Sequence, residues 1–223
     1  MRCFLLIIVF PFYIFGQHNV GFKLNGGCSK INEKINSSYN YNFTYYFMPS
    51  FQGGFFYNYN FKKSLIGAEL LFVQIQGKNY IEFPYMDQNG NPTGNSKNTV
   101  WQNISYLGIP VYYGINFKKI NINLGVQLNL LLTSSGHSES KGIYLGDSLN
   151  FKTTAKKLYM NQYDFGPRAA ILFKVSKRFS FEGNYYYGLS NIYKDASFAM
   201  WRVQQITVGL RYSFYSKDKT ITK

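Results

Sequence analysis

Residues 104–133 read ISYLGIPVYYGINF, then Lys118-Lys119, then ININLGVQLNLLLT. In the second run Ile122, Leu124, Val126, Leu128, Leu130 and Leu132 occupy every other position. Asn123, Gly125, Gln127, Asn129 and Leu131 lie between them. A helix would scatter those leucines around its axis, whereas a strand puts them all on one face. In the first run Leu107, Ile109, Val111, Tyr113, Ile115 and Phe117 share a face. Ser105, Gly108, Pro110, Tyr112, Gly114 and Asn116 fall mostly on the other. The pattern predicts two long strands joined by a tight basic turn. Each is about 10 to 14 residues, where soluble strands are usually about 5 or 6. A tilted strand needs about 9 to 11 residues to cross a bilayer.

The rest of the chain repeats this hairpin and predicts eight strands. The first is about 19–31, with Val20, Phe22, Leu24 and Cys28 alternating with Lys23 and Asn25. In the second, about 50–61, Phe51, Phe55, Tyr57, Tyr59 and Phe61 oppose Gln52, Gly54, Phe56, Asn58 and Asn60. In the third, about 65–77, Ala68, Leu70 and Phe72 lie opposite Glu69, but both faces are apolar and leave the register open. The opening hairpin supplies the fourth and fifth. In the sixth, about 163–175, Phe165, Ala169, Ile171 and Phe173 oppose Asp164, Gly166, Arg168 and Ala170. In the seventh, about 179–190, Phe179, Phe181, Tyr185 and Tyr187 oppose Glu182, Asn184 and Tyr186. In the eighth, about 203–215, Ile206, Val208, Leu210, Tyr212 and Phe214 oppose Gln205, Thr207, Gly209, Arg211 and Ser213.

The connections alternate in length. Those at 62–64, 118–120 and 176–178 are short and basic, whereas 32–48, 78–101, 134–162 and 191–201 are expected as long loops. This is the layout of an all-β, antiparallel, up-and-down transmembrane barrel with short periplasmic turns and long extracellular loops. An even strand number puts both ends of the barrel chain on the periplasmic side. Residues 1–16, MRCFLLIIVFPFYIFG, carry Arg2, an apolar core and a small residue, the pattern of a signal peptide cut after Gly16. Residues 17–223 then form the barrel domain. No apolar run beyond residue 16 is long enough for a transmembrane helix. With Cys3 removed, Cys28 is the remaining thiol, expected as a small buried apolar residue.

The formal charge is +14, which raises nucleic acid as a partner. Placement argues against it. Only Lys23 and Lys174 fall inside strand cores, no basic helix is present, and the turns and loop ends suit anionic lipid headgroups instead. Alternation alone does not say whether the apolar face meets lipid or a core, and a soluble lipocalin-like ligand carrier would show the same strands. The polar face decides. A strand face in bulk water usually carries Lys and Glu, whereas this one carries Asn, Gln, Ser, Thr and Gly with a few single charges. Those charges, Glu69, Asp164, Arg168, Glu182 and Arg211, are expected to neutralise one another inside the barrel as a charge network.

The segment SYLGIPVYYGINF resembles a strand of the PorT-like outer-membrane β-barrel family, common in Bacteroidetes-type bacteria. VGFKLNGGCS, GAELLFVQIQG, YDFGPRAAILF, FEGNYYYGLSNI and QQITVGLRYSF are similar to the same family, in the same order. The resemblance covers nearly the whole chain after residue 16. It implies a small porin-like barrel in the cell outer membrane, with outer-membrane lipid and the barrel assembly machinery as partners. It implies no enzyme, and some members of the family support protein secretion. Gly108 stands where the family often has Glu, which removes one interior acid. Eight residues follow the last strand, where the family closes nearer an aromatic.

An eight-stranded barrel has an interior just wide enough to be filled by side chains, so a general diffusion pore is not expected. A function beyond structure is expected in the loops, as a site for a ligand or a protein partner. Gly136-His137-Ser138-Glu139-Ser140 is the one stretch that suggests catalysis, as a lipid-acting rim site with His137 and Ser138 or Ser140. Adjacent residues in a loop rarely align as nucleophile, base and orienter, so no catalytic residue is assigned. Asp87, Asn89 and Asn91 hint at calcium but lack the closing Glu of an EF-hand, so no metal site is assigned. No Gly-rich phosphate loop opens a helix, so no cofactor site is assigned. Pro110 is read as a bulge or a lipid-facing irregularity.

Overall fold

The computed structural model describes residues 17–35, 42–86, 92–144, 147–195 and 199–216. The signal-peptide stretch 1–16 and the calcium hint at Asp87, Asn89 and Asn91 lie outside the described residues. Among the described residues nine strands run in order: β1 Gln17–Ile35, β2 Asn42–Phe61, β3 Ser64–Met86, β4 Pro92–Phe117, β5 Ile120–Tyr144, β6 Asp147–Ala155, β7 Tyr163–Lys174, β8 Phe179–Tyr187 and β9 Ala199–Ser216. All pairings are antiparallel, and β1 pairs with both β2 and β9. Eight strands therefore close a ring, β1-β2-β3-β4-β5-β7-β8-β9, and β6 stands outside it as a ninth.

The faces follow the alternation. On β1, Phe22 and Leu24 point out while Lys23 and Asn25 are buried. On β5, Ile122, Leu124, Val126 and Leu128 point out while Asn121, Asn123, Gln127 and Asn129 are buried. The outward residues are as bare as a core would be covered: Leu124 is 63% exposed and Val208 65%. A water-soluble fold would not leave a continuous apolar belt of this kind open. Aromatic pairs edge the belt at the short-turn end, with Tyr59 against Phe61, Phe61 against Tyr113 and Phe179 against Tyr212. Such rings suit the interface between hydrocarbon and water.

The long connections differ from expectation. Much of 32–48, 78–101 and 134–162 is strand rather than loop. β3 and β4 pair from Ser64↔Ile115 up to Met86↔Pro92, and β4 pairs with β5 as far as Gly94↔Tyr144. β6 then pairs with the upper half of β5, from Gly136↔Ala155 to Tyr144↔Asp147. Outside the membrane water could satisfy these backbone groups, but here the strands continue and pair them with one another. The alternation does not announce these stretches because both of their faces are largely polar, even where the inner one is covered, as at Asn79 and Ser96. β7 and β8 stop short, so the wall stands high at β3–β6 and low at β7–β8.

Three local details also differ. Cys28 is half-buried on the outer face rather than fully buried. Pro110 makes no bulge and does not face lipid; it points into the lumen. Its missing N–H leaves a gap in the β3–β4 ladder, where pairing passes from Ala68↔Val111 to Leu71↔Gly108 without a register shift. The irregularity of β4 nearest to it lies between Ser105 and Tyr106, opposite an extra residue, Leu132. Finally, the apolar inner face of β3 has a partner inside the barrel. Leu71, Val73 and Ile75 belong to a buried cluster with Ile31, Ile104, Tyr106, Met160, Tyr186, Ile192, Trp201 and Val203. That cluster explains why the β3 register was illegible from its own residues.

Candidate functional site: a closed lumen under a raised wall

Within the belt, the inner faces of five strands bring charges together. Lys23 Nζ lies 2.8 Å from Glu182 Oε1 and 2.9 Å from Glu69 Oε2. Arg168 Nη2 lies 2.9 Å from Glu182 Oε1 and 3.1 Å from Glu69 Oε2. Arg211 pairs with Glu69 and sets its Nε 2.6 Å from Glu182 Oε2. That last contact is off the N–H axis and counts as an ion pair rather than an aligned hydrogen bond. Arg211 also donates to the Tyr112 hydroxyl at 3.0 Å, which in turn donates to Asn58 Oδ1 at 2.7 Å. The Arg211 guanidinium lies 4.3 Å from the Phe56 ring centroid. Every side chain of the cluster is almost fully buried, as charges in a narrow lumen must be if they are paired.

Of the five charges expected in this network, Glu69, Arg168, Glu182 and Arg211 meet. Asp164 does not join them. It lies further along β7 and accepts a hydrogen bond from the Tyr186 hydroxyl at 2.7 Å. Lys23 takes the place not foreseen for it. The available signal was its position on the polar face of β1, directly paired with Arg211 across the ladder. Gly108 points at Val73, Asn129 and Gln127, and a Cβ there would come within 2.9 Å of Val73 Cγ2. A Glu at 108 would therefore require the Val73 side chain to shift.

Above the ions, two irregular segments fold over the low side of the wall and fill the lumen. Segment 156–162 brings Leu158 and Met160 inward; segment 188–195 brings Ile192 and Tyr193. Asn161 and Asn191 clasp them. Asn161 Nδ2 donates to the Asn191 carbonyl at 2.8 Å, and Asn191 Oδ1 accepts from the Trp201 N–H at 2.8 Å. Tyr193 then stacks on Trp201 with ring centroids 4.8 Å apart. Beside this plug the Glu33 carboxylate is buried and accepts from Asn79 Nδ2 at 3.2 Å. Burial holds its carboxyl above the usual range, and the Asn79 bond offsets this only in part.

The 136–140 stretch is strand β5, so its residues alternate. His137 and Glu139 share a face, and Ser138 and Ser140 take the other. His137 Nδ1 is 3.1 Å from Thr154 Oγ1, and its ring lies 5.4 Å from that of Trp101. Glu139 is tied to Lys152 at 2.7 Å, which holds its carboxyl below the usual range. Neither serine reaches His137, so the geometry a serine nucleophile needs is not formed. Among the described residues no group of three or more His, Cys, Asp or Glu side chains could hold a metal ion.

A closed ring of eight antiparallel strands, an apolar outer belt and a polar lumen are joined by a direct match in sequence. Residues 15–194 match the family described as outer membrane protein β-barrel domain. The chain belongs to this family. It is an outer-membrane β-barrel protein, located in the outer membrane. No curated protein matches it. Among solved structures it is similar to the attachment invasion locus protein Ail of Yersinia pestis, at 14% identity and TM-score 0.36, covering 90% of this chain and 100% of that one. It is also similar to Neisserial surface protein A, at 11% identity and TM-score 0.40, covering 86% and 97%. A third is the outer membrane protein OprG of Pseudomonas aeruginosa, at 9% identity and TM-score 0.41, covering 90% and 97%.

Proposed function

We propose that this outer-membrane barrel is a closed display scaffold: it carries a raised β-wall on the cell exterior for binding a ligand or protein partner, and it conducts no solutes. The supporting observation is the lumen. The ion cluster of Lys23, Glu69, Arg168, Glu182 and Arg211 ties β3, through Glu69, and β8, through Glu182, to the cations of β1, β7 and β9 across it. The Leu158, Met160, Ile192 and Trp201 plug fills it above. The wall β3–β6 meanwhile extends well past the belt, with exposed polar residues such as Asn95, Lys97, Lys141, Asn150 and Lys152. Within the outer-membrane barrels we read the chain as PorT-like, on SYLGIPVYYGINF and QQITVGLRYSF, which suggests a partner in protein secretion.

Two measurements test the reading. In planar bilayers the refolded protein should give no stepwise conductance, and a steady open channel would refute the closed lumen. On intact cells a membrane-impermeant maleimide should label Ser138→Cys and leave Lys118→Cys unlabelled until the cells are permeabilised. The reverse pattern would put the raised wall in the periplasm.

A further inference from the structure

The barrel wall opens between β5 and β7. β5 and β7 pair as far as Leu130↔Tyr163, with one more link from the Leu131 N–H to the Gln162 carbonyl at 2.7 Å. Above that point β5 turns to β6, and its first pairing there is Gly136↔Ala155. Between the two lies a cleft of about 950 Å³, bounded by β5 residues 130–134 and by segment 156–163. Its floor is Leu130 and Leu132, the top of the apolar stripe that the barrel turns to lipid, while Leu131 between them packs inward against the plug. Its rim is Lys156, Lys157 and Lys194. The cleft therefore sits where hydrocarbon gives way to headgroups.

The charges at this rim are uncommitted. Lys152 nearby is tied to Glu139, and Lys97 to Glu82. Among the described residues, Lys156, Lys157 and Lys194 form no ion pair; Lys194 Nζ lies 5.0 Å over the Tyr159 ring. Tyr159 and Tyr163 are about 60% exposed at the same level, where aromatic side chains suit the headgroup region. We propose that this cleft binds a phosphorylated lipid of the surrounding leaflet, its acyl chains on Leu130 and Leu132 and its phosphate among Lys156, Lys157 and Lys194. Charge complementarity selects the phosphate, and continuity with the lipid-facing stripe selects an acylated ligand over a soluble anion. The bound lipid would cover this opening and hold segment 156–162, which carries Leu158 and Met160 into the plug.

The test uses the full barrel, refolded in zwitterionic detergent, with bisphosphorylated lipid A, its dephosphorylated form and phosphatidylcholine as probes. Binding is counted by native mass spectrometry. A lysine near a lipid surface is worth roughly fivefold in affinity, so Lys156→Gln/Lys157→Gln/Lys194→Gln should weaken lipid A binding about a hundredfold. The control Lys62→Gln/Lys63→Gln/Lys177→Gln, at the other mouth, should bind as the native protein does. Equal loss in the control, or equal retention of the dephosphorylated lipid, would overturn the proposal. So would full displacement of lipid A by millimolar inorganic phosphate, which would make the cleft a simple anion site. Should the triple variant lose its heat-modifiable migration, the native protein decides the matter. Raising salt to 1 M shortens the screening length to about 3 Å and should release lipid A, and salt-independent binding would overturn the proposal.

Discussion

Lys23→Met and Glu69→Gln should differ sharply in cost, although both remove one partner of the same buried ion pair. The cluster holds three cations, Lys23, Arg168 and Arg211, against two carboxylates, Glu69 and Glu182. It therefore carries one positive charge in excess. Removing Glu69 leaves all three cations facing Glu182 alone and cuts the ties from β3 to β1, β7 and β9. Leaving buried charge uncompensated typically costs about 3 to 5 kcal/mol, and Glu69→Gln belongs at the upper end of that range. Removing Lys23 leaves two arginines on two carboxylates, a neutral set, and methionine fills nearly the same volume. Lys23→Met should cost below about 2 kcal/mol. The pair shares a direct contact of 2.9 Å, so the double variant should cost less than the summed singles by about 0.5 to 3 kcal/mol. Urea unfolding of the refolded barrel, followed by the fluorescence of Trp101 and Trp201, reads all three. If Lys23→Met costs as much as Glu69→Gln, or if the two add within about 0.5 kcal/mol, charge balance is not what governs this lumen.

Three further outcomes follow from other parts of the barrel. Leu210→Arg, one position from Arg211 but 48% exposed on the outer belt, should cost about 2 to 4 kcal/mol and reduce insertion, read by heat-modifiable migration; full tolerance would mean that the faces are reversed. Glu33 ionises at a higher pH in the folded barrel than in the unfolded chain, so the fold gains stability as pH falls through the folded value. Glu33→Gln should therefore protect the Ile31–Ile35 amides from hydrogen exchange at pH 8, with the gain vanishing toward pH 4, near the ordinary Glu value of about 4.3; equal protection at pH 8 would refute the burial argument. His137→Ala should leave lipid A acylation unchanged, because Ser138 and Ser140 lie on the opposite face of β5; an altered acylation pattern in mass spectra would revive the enzyme reading.

What the sequence determined by itself is the belt. Leu124, Val126 and Leu128 against Asn123, Gln127 and Asn129 state both the strand and its faces, because a side chain's direction in a strand depends only on its own residue number. The eight-membered ring and its three basic turns follow from repeats of that local rule. Where both faces are polar, the rule falls silent. Residues 92–100 and 134–144 are strands whose inner face, with Ser96 and Ser134 buried, is as polar as the outer one, so their runs read as loops. The inner face of β3 is silent for the opposite reason. Leu71, Val73 and Ile75 face an apolar plug contributed by Met160 and Ile192, which nothing local to β3 foretells. The ion cluster stands between these cases. Its residues were legible as charges on polar faces, but which of them meet was not. Glu69 reaches Arg211, 142 residues away, across a lumen whose width is set by closure of the whole ring. Asp164 shares the face of Arg168 yet sits too far along β7 to join, and Lys23 fills the gap from β1. Alternation is a property of each strand, whereas the meeting of side chains across the barrel is decided only when β1 and β9 pair.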